Sequence, residues 1–351
     1  MEVGAVKELK PFLAKLVEGK DLTEEEASEV MGLIMDGRAT PAQIGALLCA
    51  LRMKGETWQE VAGAARAMRE RMLKVPYSLA EDQPLVDTCG TGGDAKGTFN
   101  VSTAAAFVVA AAGVPVAKHG NRSVTSRCGS ADVLEALGIP LELPPEFAAR
   151  ALSEVGFTFL FAPAYHPAVK AVMGPRRELG FRTIFNLLGP LCNPASVNTQ
   201  VLGVFDFRLT EKMAYALDAL GVRRALVVFG EGGYDEFTVT GWTKVSELRD
   251  QRITTYYVIP EEVGLERCEA PEELKGGDAE ENARILEDIL SGKETGSRRD
   301  MVLLNAGAAL YAAEKTLDLK GGVKLAREIL ETGKAYKKLR EVQHFFKTIK
   351  T

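Results

Sequence analysis

The sequence predicts an α/β protein in which a small N-terminal helical domain precedes a larger domain built on a mostly parallel central β-sheet. Three observations predict this fold. Capped helical segments fill the first 73 residues, short β-branched runs alternate with helical segments after residue 76, and glycine-rich or basic loops follow several predicted strands. Ligands of parallel sheets bind at the carboxyl ends of the strands. The predicted domains span residues 1–73 and 74–351.

Four helices are predicted in the N-terminal domain, at residues 6–18, 24–36, 41–54 and 58–73. Capping-box spacing occurs three times, at Thr23 and Glu26, Thr40 and Gln43, and Thr57 and Glu60. C-terminal caps are expected at Gly19, Gly37 and Gly55. Apolar residues cover several sides of these helices, among them Leu33, Ile34, Ile44, Leu47, Leu48 and Leu51. They favour packing against the larger domain or a partner subunit.

Seven strands are predicted in the larger domain from short β-branched and apolar runs. They cover residues 85–87, 114–118, 157–161, 201–204, 224–229, 236–240 and 254–259. Helical segments separate several of these runs, as in βαβ units.

The most informative segment, residues 87–103, reads DTCGTGGDAKGTFNVST and joins a predicted strand to a predicted helix. Glycines at positions 90, 92 and 93 allow the backbone to take positive φ and to bring N–H groups close to an anionic oxygen. Ser102 or Thr103 is predicted to cap the helix, whose N-terminus also favours an anion. The segment therefore predicts a phosphate-binding turn.

Two other phosphate-binding motifs fit this segment less well. A P-loop requires Gly-Lys followed by Ser or Thr, whereas residues 96–98 read Lys-Gly-Thr. Residues 90–95 satisfy the glycine pattern of a dinucleotide fold, but the next predicted strand ends in Lys118 and His119 instead of an acidic residue. A basic strand end suits a second phosphate.

The loop at residues 118–130, KHGNRSVTSRCGS, is a second candidate phosphate site. It carries the basic side chains Lys118, Arg122 and Arg127, and it leads into a helix predicted at residues 131–137. The N-terminus of that helix is expected to be free for an anion. The alternative is a polar surface loop with incidental charge.

A third loop, GEGGYDEF at residues 230–237, places Asp235 and Glu236 side by side after a predicted strand. Mg²⁺ prefers one or two carboxylates together with phosphate oxygens and water. The pair therefore predicts magnesium ligands, with a solvated turn as the alternative.

Composition and charge exclude several classes of protein. The chain has 351 residues, 46% of them hydrophobic, and a net charge of −5. The longest apolar run, residues 104–117, contains Gly113 and Pro115 and is shorter than the roughly 20 residues of a membrane helix. Because a secretory signal is also absent, a cytoplasmic protein without a membrane partner is expected. Five scattered cysteines without a C-x-x-C pair indicate neither a disulfide framework nor a zinc site.

Taken together, these loops resemble the anthranilate phosphoribosyltransferase family over nearly the whole chain. The matching segments are GTGGD (90–94), NVST (100–103), KHGNR (118–122), GSADVLEALG (129–138), YHPA (165–168), RRELGFRTIFNLLGPLCNPA (176–195) and the acidic pair at 235–236. The resemblance implies a homodimer with a helical domain hinged to an α/β domain, and a segment near 168–190 that packs with the helices. It also implies transfer of the phosphoribosyl group of 5-phosphoribosyl 1-pyrophosphate (PRPP) to the amine of anthranilate, a step of tryptophan biosynthesis.

The resemblance further implies which residues bind each ligand. PRPP contacts are expected from Gly90, Gly93, Asp94, Thr98, Asn100, Val101, Ser102, Thr103, Lys118, His119, Gly120, Asn121, Arg122, Ser123, Val124, Thr125, Ser126 and Ser130. Anthranilate contacts are expected from Gly90, His119, Asn121, His166, Arg176 and Pro190, and two Mg²⁺ ions per subunit are expected on Ser102, Asp235 and Glu236. Lys118, His119 and Arg176 are expected to act through charge and position, and no residue is nominated to remove the amine proton.

Two alternative functions are weighed against this one. Pyrimidine nucleoside phosphorylases share the general architecture, but their loop resembles KHSTGG where residues 118–122 read KHGNR. Nucleic-acid binding would require a basic surface and an affinity that falls steeply with salt. The net charge of −5 and the acidic pair argue against a nucleic-acid partner.

Overall fold

The computed structural model describes residues 8–78, 80, 83–93, 96–123 and 127–348. Four residues expected to contact PRPP, Asp94, Val124, Thr125 and Ser126, lie outside the described residues. The helices are α1 (Lys10–Val17), α2 (Glu24–Met35), α3 (Pro41–Lys54), α4 (Trp58–Arg71), α5 (Val101–Ala111), α6 (Ser130–Ala136), α7 (Pro145–Val155), α8 (Ala162–Tyr165), α9 (Lys170–Leu179), α10 (Phe185–Leu188), α11 (Leu209–Ala219), α12 (Ala279–Leu290), α13 (Ser297–Ala312), α14 (Leu319–Glu331) and α15 (Lys334–Thr348). The strands are β1 (Val86–Gly90), β2 (Val116–Gly120), β3 (Phe157–Phe161), β4 (Thr199–Gly203), β5 (Arg224–Gly230), β6 (Thr243–Arg249) and β7 (Arg252–Val258).

The helices α1 to α4 form the N-terminal helical domain, and their capping follows the sequence. The threonines at the starts of α2, α3 and α4 each accept a hydrogen bond from the third helical residue, whose side chain accepts one in return. These reciprocal bonds satisfy N–H groups that have no partner inside the helix. Gly19, Gly37 and Gly55 have φ values of +74°, +73° and +86°, as the caps require. All three predicted capping boxes are confirmed.

The six apolar side chains singled out in the helical domain are covered within the chain. Leu33, Ile34, Ile44, Leu47, Leu48 and Leu51 are all buried in one core cluster. The short helices α9 and α10 lie against α2, α3 and α4 and extend this cluster toward the sheet. Arg69 of α4 joins the two domains directly, because its guanidinium donates to the carbonyl oxygens of Leu191 and Leu220 at 2.6 and 3.0 Å.

The larger domain contains one seven-stranded sheet in the order β3-β2-β1-β4-β5-β6-β7. The first five strands in this order are parallel, and β6 and β7 are added antiparallel at one edge. Side chains of neighbouring residues on a strand point to opposite faces. Accordingly, Val201 joins the core with α5 and α13, while Leu202 joins the core of α11 and the helical domain. The predicted fold class is confirmed.

The predicted strand at residues 236–240 is wrong. This segment is irregular, and the sixth strand is Thr243–Arg249. The N–H of Phe237 donates to the side chain of Asn305 at 3.1 Å, and the N–H of Thr238 donates to the hydroxyl of Thr243 at 3.1 Å. Because side chains satisfy these backbone donors, the segment has no need of a neighbouring strand.

Candidate active site

The predicted phosphate-binding turn starts at the carboxyl end of β1 and is fastened to the end of β4. The Thr91 N–H donates to the carbonyl of Gly203 at 2.9 Å, and the Phe205 N–H donates to the Thr91 hydroxyl at 3.1 Å. Gly92 and Gly93 have positive φ, +69° and +79°, as predicted. The turn therefore has a defined path along the edge where the parallel strands end.

Gly90 has no positive φ, so its lack of a side chain has a different reason. A β-carbon at Gly90 would lie 2.7 Å from Oδ2 of Asp235, and one at Gly203 would lie 1.5 Å from the carbonyl oxygen of Asp235. Asp235 in turn accepts a hydrogen bond from the Gly92 N–H at 2.8 Å. The first and third predicted loops are thus in direct contact, although they lie far apart in the chain.

Helix α5 begins earlier than predicted. Its first residue is Val101 and its N-cap position is Asn100, so neither Ser102 nor Thr103 caps the helix. The Asn100 side chain does not bond to the helix start either, because its Oδ1 accepts from Asn282 at 3.0 Å. The hydroxyl of Thr103 is buried without a hydrogen-bond partner among the described residues. Ser102 therefore lies in the first turn of α5, where its hydroxyl does not cap the helix.

Lys118 is the buried cation of the site, with only 1% of its surface exposed. Its Nζ donates to the Thr88 carbonyl and to the Ser102 hydroxyl, the latter at 3.1 Å. Burial lowers the pKa of Lys118, while the charges of Asp87 and Glu236 act against that shift. Burial likewise raises the pKa of Asp87 to about 6, opposed by Lys118. Each of these two buried charges therefore has the other as an oppositely charged partner, as buried charges require. Through its bond to Ser102, Lys118 also connects β2 to the start of α5.

His119 and His166 form an uncharged pair at the end of β2. Their Nε2 atoms lie 3.2 Å apart, and the two rings also form hydrogen bonds to the backbone of Gly189 and Cys192. Burial lowers the pKa of His119 to about 3, helped by His166, and lowers that of His166 to about 4. Pro190 is buried beside these contacts. The structure therefore brings together three of the residues expected to contact anthranilate.

Arg176 lies on α9, the helix that follows the segment of His166. Its guanidinium is half-buried, 5.1 Å from the ring centroid of Phe185, and burial lowers its pKa. Arg182, for which the sequence motifs indicate no ligand, lies over Phe205 at 4.1 Å and donates to the Gly93 carbonyl. No local sequence pattern indicates a contact to a carbonyl oxygen so distant in the chain.

The second basic loop is held by acidic side chains of α6. Arg122 forms ion pairs with Asp132 and Glu135, both at 2.8 Å. Asp132 also accepts from the N–H groups of Gly129 and Ser123. The expectation of a helix start free for an anion is therefore wrong in part, since these N–H groups already have a carboxylate.

Other residues of this loop and of the first segment are held by backbone contacts. The Asn121 carbonyl accepts from Ala131 and from the Ser130 hydroxyl at 3.3 and 3.4 Å, and a β-carbon at Gly120 would lie 2.2 Å from Ser130 Oγ. Thr98 forms an isolated antiparallel bridge with Lys275.

The oxygen donors of the site fit a magnesium ion. Asp235 and Glu236 are half-buried and adjacent, and Lys118, which donates to the Ser102 hydroxyl, also feels the charge of Glu236. Within the described part of the chain, no group of three or more His, Cys, Asp or Glu side chains is placed to hold a metal ion. Mg²⁺ takes few protein carboxylates and completes its shell with phosphate oxygens and water, so a pair of carboxylates beside a phosphate turn suits it.

The fold and the site define a class of enzyme that comparison with known families identifies. Residues 10–72 match the family model described as "Glycosyl transferase family, helical bundle domain", and residues 82–336 match "Glycosyl transferase family, a/b domain". A helical bundle followed by such an α/β domain defines this class of glycosyl transferases. None of the helices in the described ranges has the length and apolar character needed to cross a bilayer.

Individual relatives give a narrower result. The anthranilate phosphoribosyltransferase of Symbiobacterium thermophilum is 56% identical over 339 residues, which are 96% of this chain and 97% of the relative. The crystal structure of the Thermus thermophilus enzyme of the same name has a TM-score of 0.90 and 50% identity, covering 96% of this chain and 99% of that one. Two structures of the Saccharomyces cerevisiae enzyme, one in complex with PRPP and Mg and one with 4-fluoroanthranilate, have TM-scores of 0.87 at 28% and 27% identity, covering 97% of this chain and 98% of theirs. The chain belongs to the anthranilate phosphoribosyltransferase family.

Proposed function

We propose that this chain transfers the phosphoribosyl group of PRPP to the amine of anthranilate and releases N-(5-phosphoribosyl)anthranilate and pyrophosphate, as a step of L-tryptophan biosynthesis. The observation that carries the proposal is the contact between the acidic loop and the phosphate turn, where Asp235 reaches Gly92 at the ends of β1 and β4. The contact supports the proposal, because a carboxylate that suits magnesium lies beside an N–H group that suits a phosphate oxygen, in a chain of this family. A biosynthetic role with phosphorylated substrates supports a cytoplasmic location.

The donor side of the site stabilises negative charge. Breaking the bond from C1 of the ribose to pyrophosphate passes through an oxocarbenium-like state, in which negative charge grows on the leaving oxygens. Lys118 adds a buried positive charge beside Ser102, and the turn supplies N–H groups. Magnesium held by Ser102, Asp235 and Glu236 would act as a Lewis acid on the diphosphate. We propose two ions per subunit, with the start of α5 and the loop after β5 supplying their protein oxygens.

The acceptor side positions an uncharged amine. His119 and His166 are neutral at pH 7 and Pro190 is apolar, which suits the ring of anthranilate. Arg176 would hold the carboxylate of anthranilate through a bidentate pair. Because an arylamine is neutral at this pH, it attacks C1 directly once it is held in place, and positioning supplies much of the rate. No nucleophilic side chain is required.

The proposal includes a homodimer formed through the helical domain. Three large apolar side chains of this domain are exposed in the single chain, Met53 at 88%, Val17 at 78% and Leu73 at 47%. Exposed apolar surface of this kind is typical of protein interfaces.

The function is tested by mixing the protein with anthranilate, PRPP and Mg²⁺ and following the fluorescence of anthranilate. We expect the fluorescence to fall with time, and to stay constant when PRPP or Mg²⁺ is omitted. Parallel incubation with thymidine and phosphate tests the nucleoside phosphorylase alternative. Constant anthranilate fluorescence together with release of thymine would contradict the proposal.

A further inference from the structure

We propose that Asp235 is a metal-controlled latch on the phosphate turn. The Asp235 carboxylate accepts a hydrogen bond from the Gly92 N–H, and when that carboxylate binds magnesium the N–H becomes available to pyrophosphate. The latch couples the two ligands at one site: magnesium removes the group that competes with pyrophosphate. This inference rests on the proposed function, because it assigns a further role to a residue of the same site.

The first observation is the hydrogen bond itself. The Gly92 N–H donates to Oδ2 of Asp235 at 2.8 Å, a distance typical of a charge-assisted bond. Gly92 has a φ of +69° and lies within the turn that the sequence predicts to bind phosphate. A carboxylate oxygen on such an N–H makes the same kind of contact as a phosphate oxygen. Asp235 thus occupies a contact that the turn would otherwise offer to a ligand.

The second observation is the room kept for Asp235 by two glycines on neighbouring strands. A β-carbon at Gly90 would lie 2.7 Å from Oδ2 of Asp235, and one at Gly203 would lie 1.5 Å from its carbonyl oxygen. Any other residue at either position would push Asp235 away from the turn. The approach of Asp235 therefore depends on the ends of both β1 and β4, which are paired at Gly90 and Gly203.

The third observation is that the turn is held by other contacts as well. Thr91 is fixed on both sides, through its N–H to Gly203 and through its hydroxyl from Phe205, and the Gly93 carbonyl accepts from Arg182. These contacts involve Thr91 and Gly93, the residues on either side of Gly92, and none of them involves the Gly92 N–H that donates to Asp235. Releasing Asp235 therefore frees one N–H while the turn keeps its tethers.

A binding consequence follows. Without a metal ion, pyrophosphate must displace the Asp235 carboxylate and also meets the repulsion of its charge. When the carboxylate binds magnesium, both obstacles are removed, so each ligand strengthens the binding of the other. We therefore expect positive coupling between the binding of magnesium and the binding of pyrophosphate. Part of this coupling comes from neutralising the charge of Asp235, and the latch adds the free energy of one charge-assisted hydrogen bond.

The test measures binding of inorganic pyrophosphate by isothermal titration calorimetry in EDTA, so no turnover is involved. Asp235→Ala and Glu236→Ala each remove one negative charge from the same loop, but only the first removes the acceptor of the Gly92 bond. We expect the Asp235→Ala protein to bind metal-free pyrophosphate about 10-fold more tightly than the Glu236→Ala protein, the effect of one bond to a charged acceptor. Equal affinities, or tighter binding by Glu236→Ala, would overturn the latch.

A second pair of variants preserves the shape of the loop. Asp235→Asn keeps a weaker, neutral acceptor and should bind metal-free pyrophosphate more tightly than its matched control Glu236→Gln. Equal affinities of these two variants would also overturn the latch. The wild-type protein titrated with pyrophosphate in the presence of Mg²⁺ separates the two proposals. If the wild-type protein does not bind pyrophosphate with Mg²⁺, the proposed function and the latch are both overturned. If it does bind, but the Asp235 and Glu236 variants have equal affinities for pyrophosphate in EDTA, only the latch is overturned.

Discussion

At the scale of single residues, burial decides which groups of the site carry charge. His119 and His166 are 6% and 8% exposed and lose their protons, because desolvation disfavours an imidazolium ion. Lys118 is buried still more deeply, but Asp87 and Glu236 support its charge. The proposed acceptor side therefore offers neutral rings, and its positive charge comes from Arg176, whose pKa burial lowers.

A residue-scale prediction concerns Arg176. Arg176→Ala should raise the KM for anthranilate by about 10-fold or more and change the KM for PRPP much less, because the guanidinium would pair with a carboxylate that only anthranilate carries in this part of the site. Initial rates at varied concentrations of each substrate measure both constants. Arg177→Ala, an exposed position on the same helix, is the control and should behave like the wild type. Equal increases in both KM values would argue against this role.

At the scale of elements, the segment after α9 connects the two halves of the site. α9 carries Arg176 and packs on the helical domain, and shortly after its end Arg182 reaches the carbonyl of Gly93 in the phosphate turn. The guanidinium also lies close enough to Phe205 for a cation–π contact, 4.1 Å from the ring centroid. A shift of α9 would therefore move Arg182 and change its contact with the turn that we propose binds pyrophosphate.

An element-scale prediction follows from this connection. Arg182→Ala should loosen the turn and raise the KM for PRPP by about 10-fold, the loss of one charge-assisted hydrogen bond, with a smaller change in the KM for anthranilate. Arg182→Lys keeps a cationic donor without the planar contact to Phe205 and should fall between the alanine variant and the wild type. Steady-state kinetics with both substrates distinguish these outcomes. An unchanged KM for PRPP in Arg182→Ala would show that the other tethers suffice.

At the scale of the whole molecule, the buried histidines link stability to pH. In the unfolded chain both rings take up protons below about pH 6.5, whereas in the fold their pKa values are about 3 and about 4. The unfolded state thus binds more protons in the interval, so the free energy of unfolding falls as the pH drops from 6.5 toward 4. Asp87 acts in the opposite direction between pH 6 and 3.8, because its pKa is raised in the fold. The contribution of the rings must therefore be measured as a difference between variants.

The prediction is that His166→Asn loses about 2 kcal/mol less stability than the wild type between pH 7 and pH 5, since a pKa that is lower by one in the fold corresponds to about 1.4 kcal/mol. Urea unfolding at the two pH values gives the required free energies. His344→Gln, at an exposed position on α15, is the control and should follow the wild type. Parallel losses in His166→Asn and the wild type would contradict the neutral, buried state of the pair.

How much the sequence predicts depends on how local the physical cause is. The capping boxes of α2, α3 and α4 and the positive φ of Gly92 and Gly93 follow from residues within a few positions, and they were predictable. The start of α5 and the irregular segment at 236–240 were not, because Asn282 and Asn305, both far away in the chain, form hydrogen bonds to polar groups of Asn100 and Phe237. The partners of Arg122 were also not predicted. Its charge is paired with Asp132 and Glu135 of α6, and the loop motif alone does not reveal these ion pairs.

The amino-acid order by itself therefore determined the helical and α/β domains, the glycine-rich turn, the basic strand end and the acidic pair, because each depends on short-range spacing or on residue chemistry. Tertiary structure decided which of these groups meet. Only the folded sheet, with β1 and β4 paired at Gly90 and Gly203, brings Asp235 onto Gly92, buries Lys118 beside Ser102 and places His119 against His166. Burial and long-range contact set charge states and hydrogen-bond partners, and both arise from packing between segments far apart in the chain.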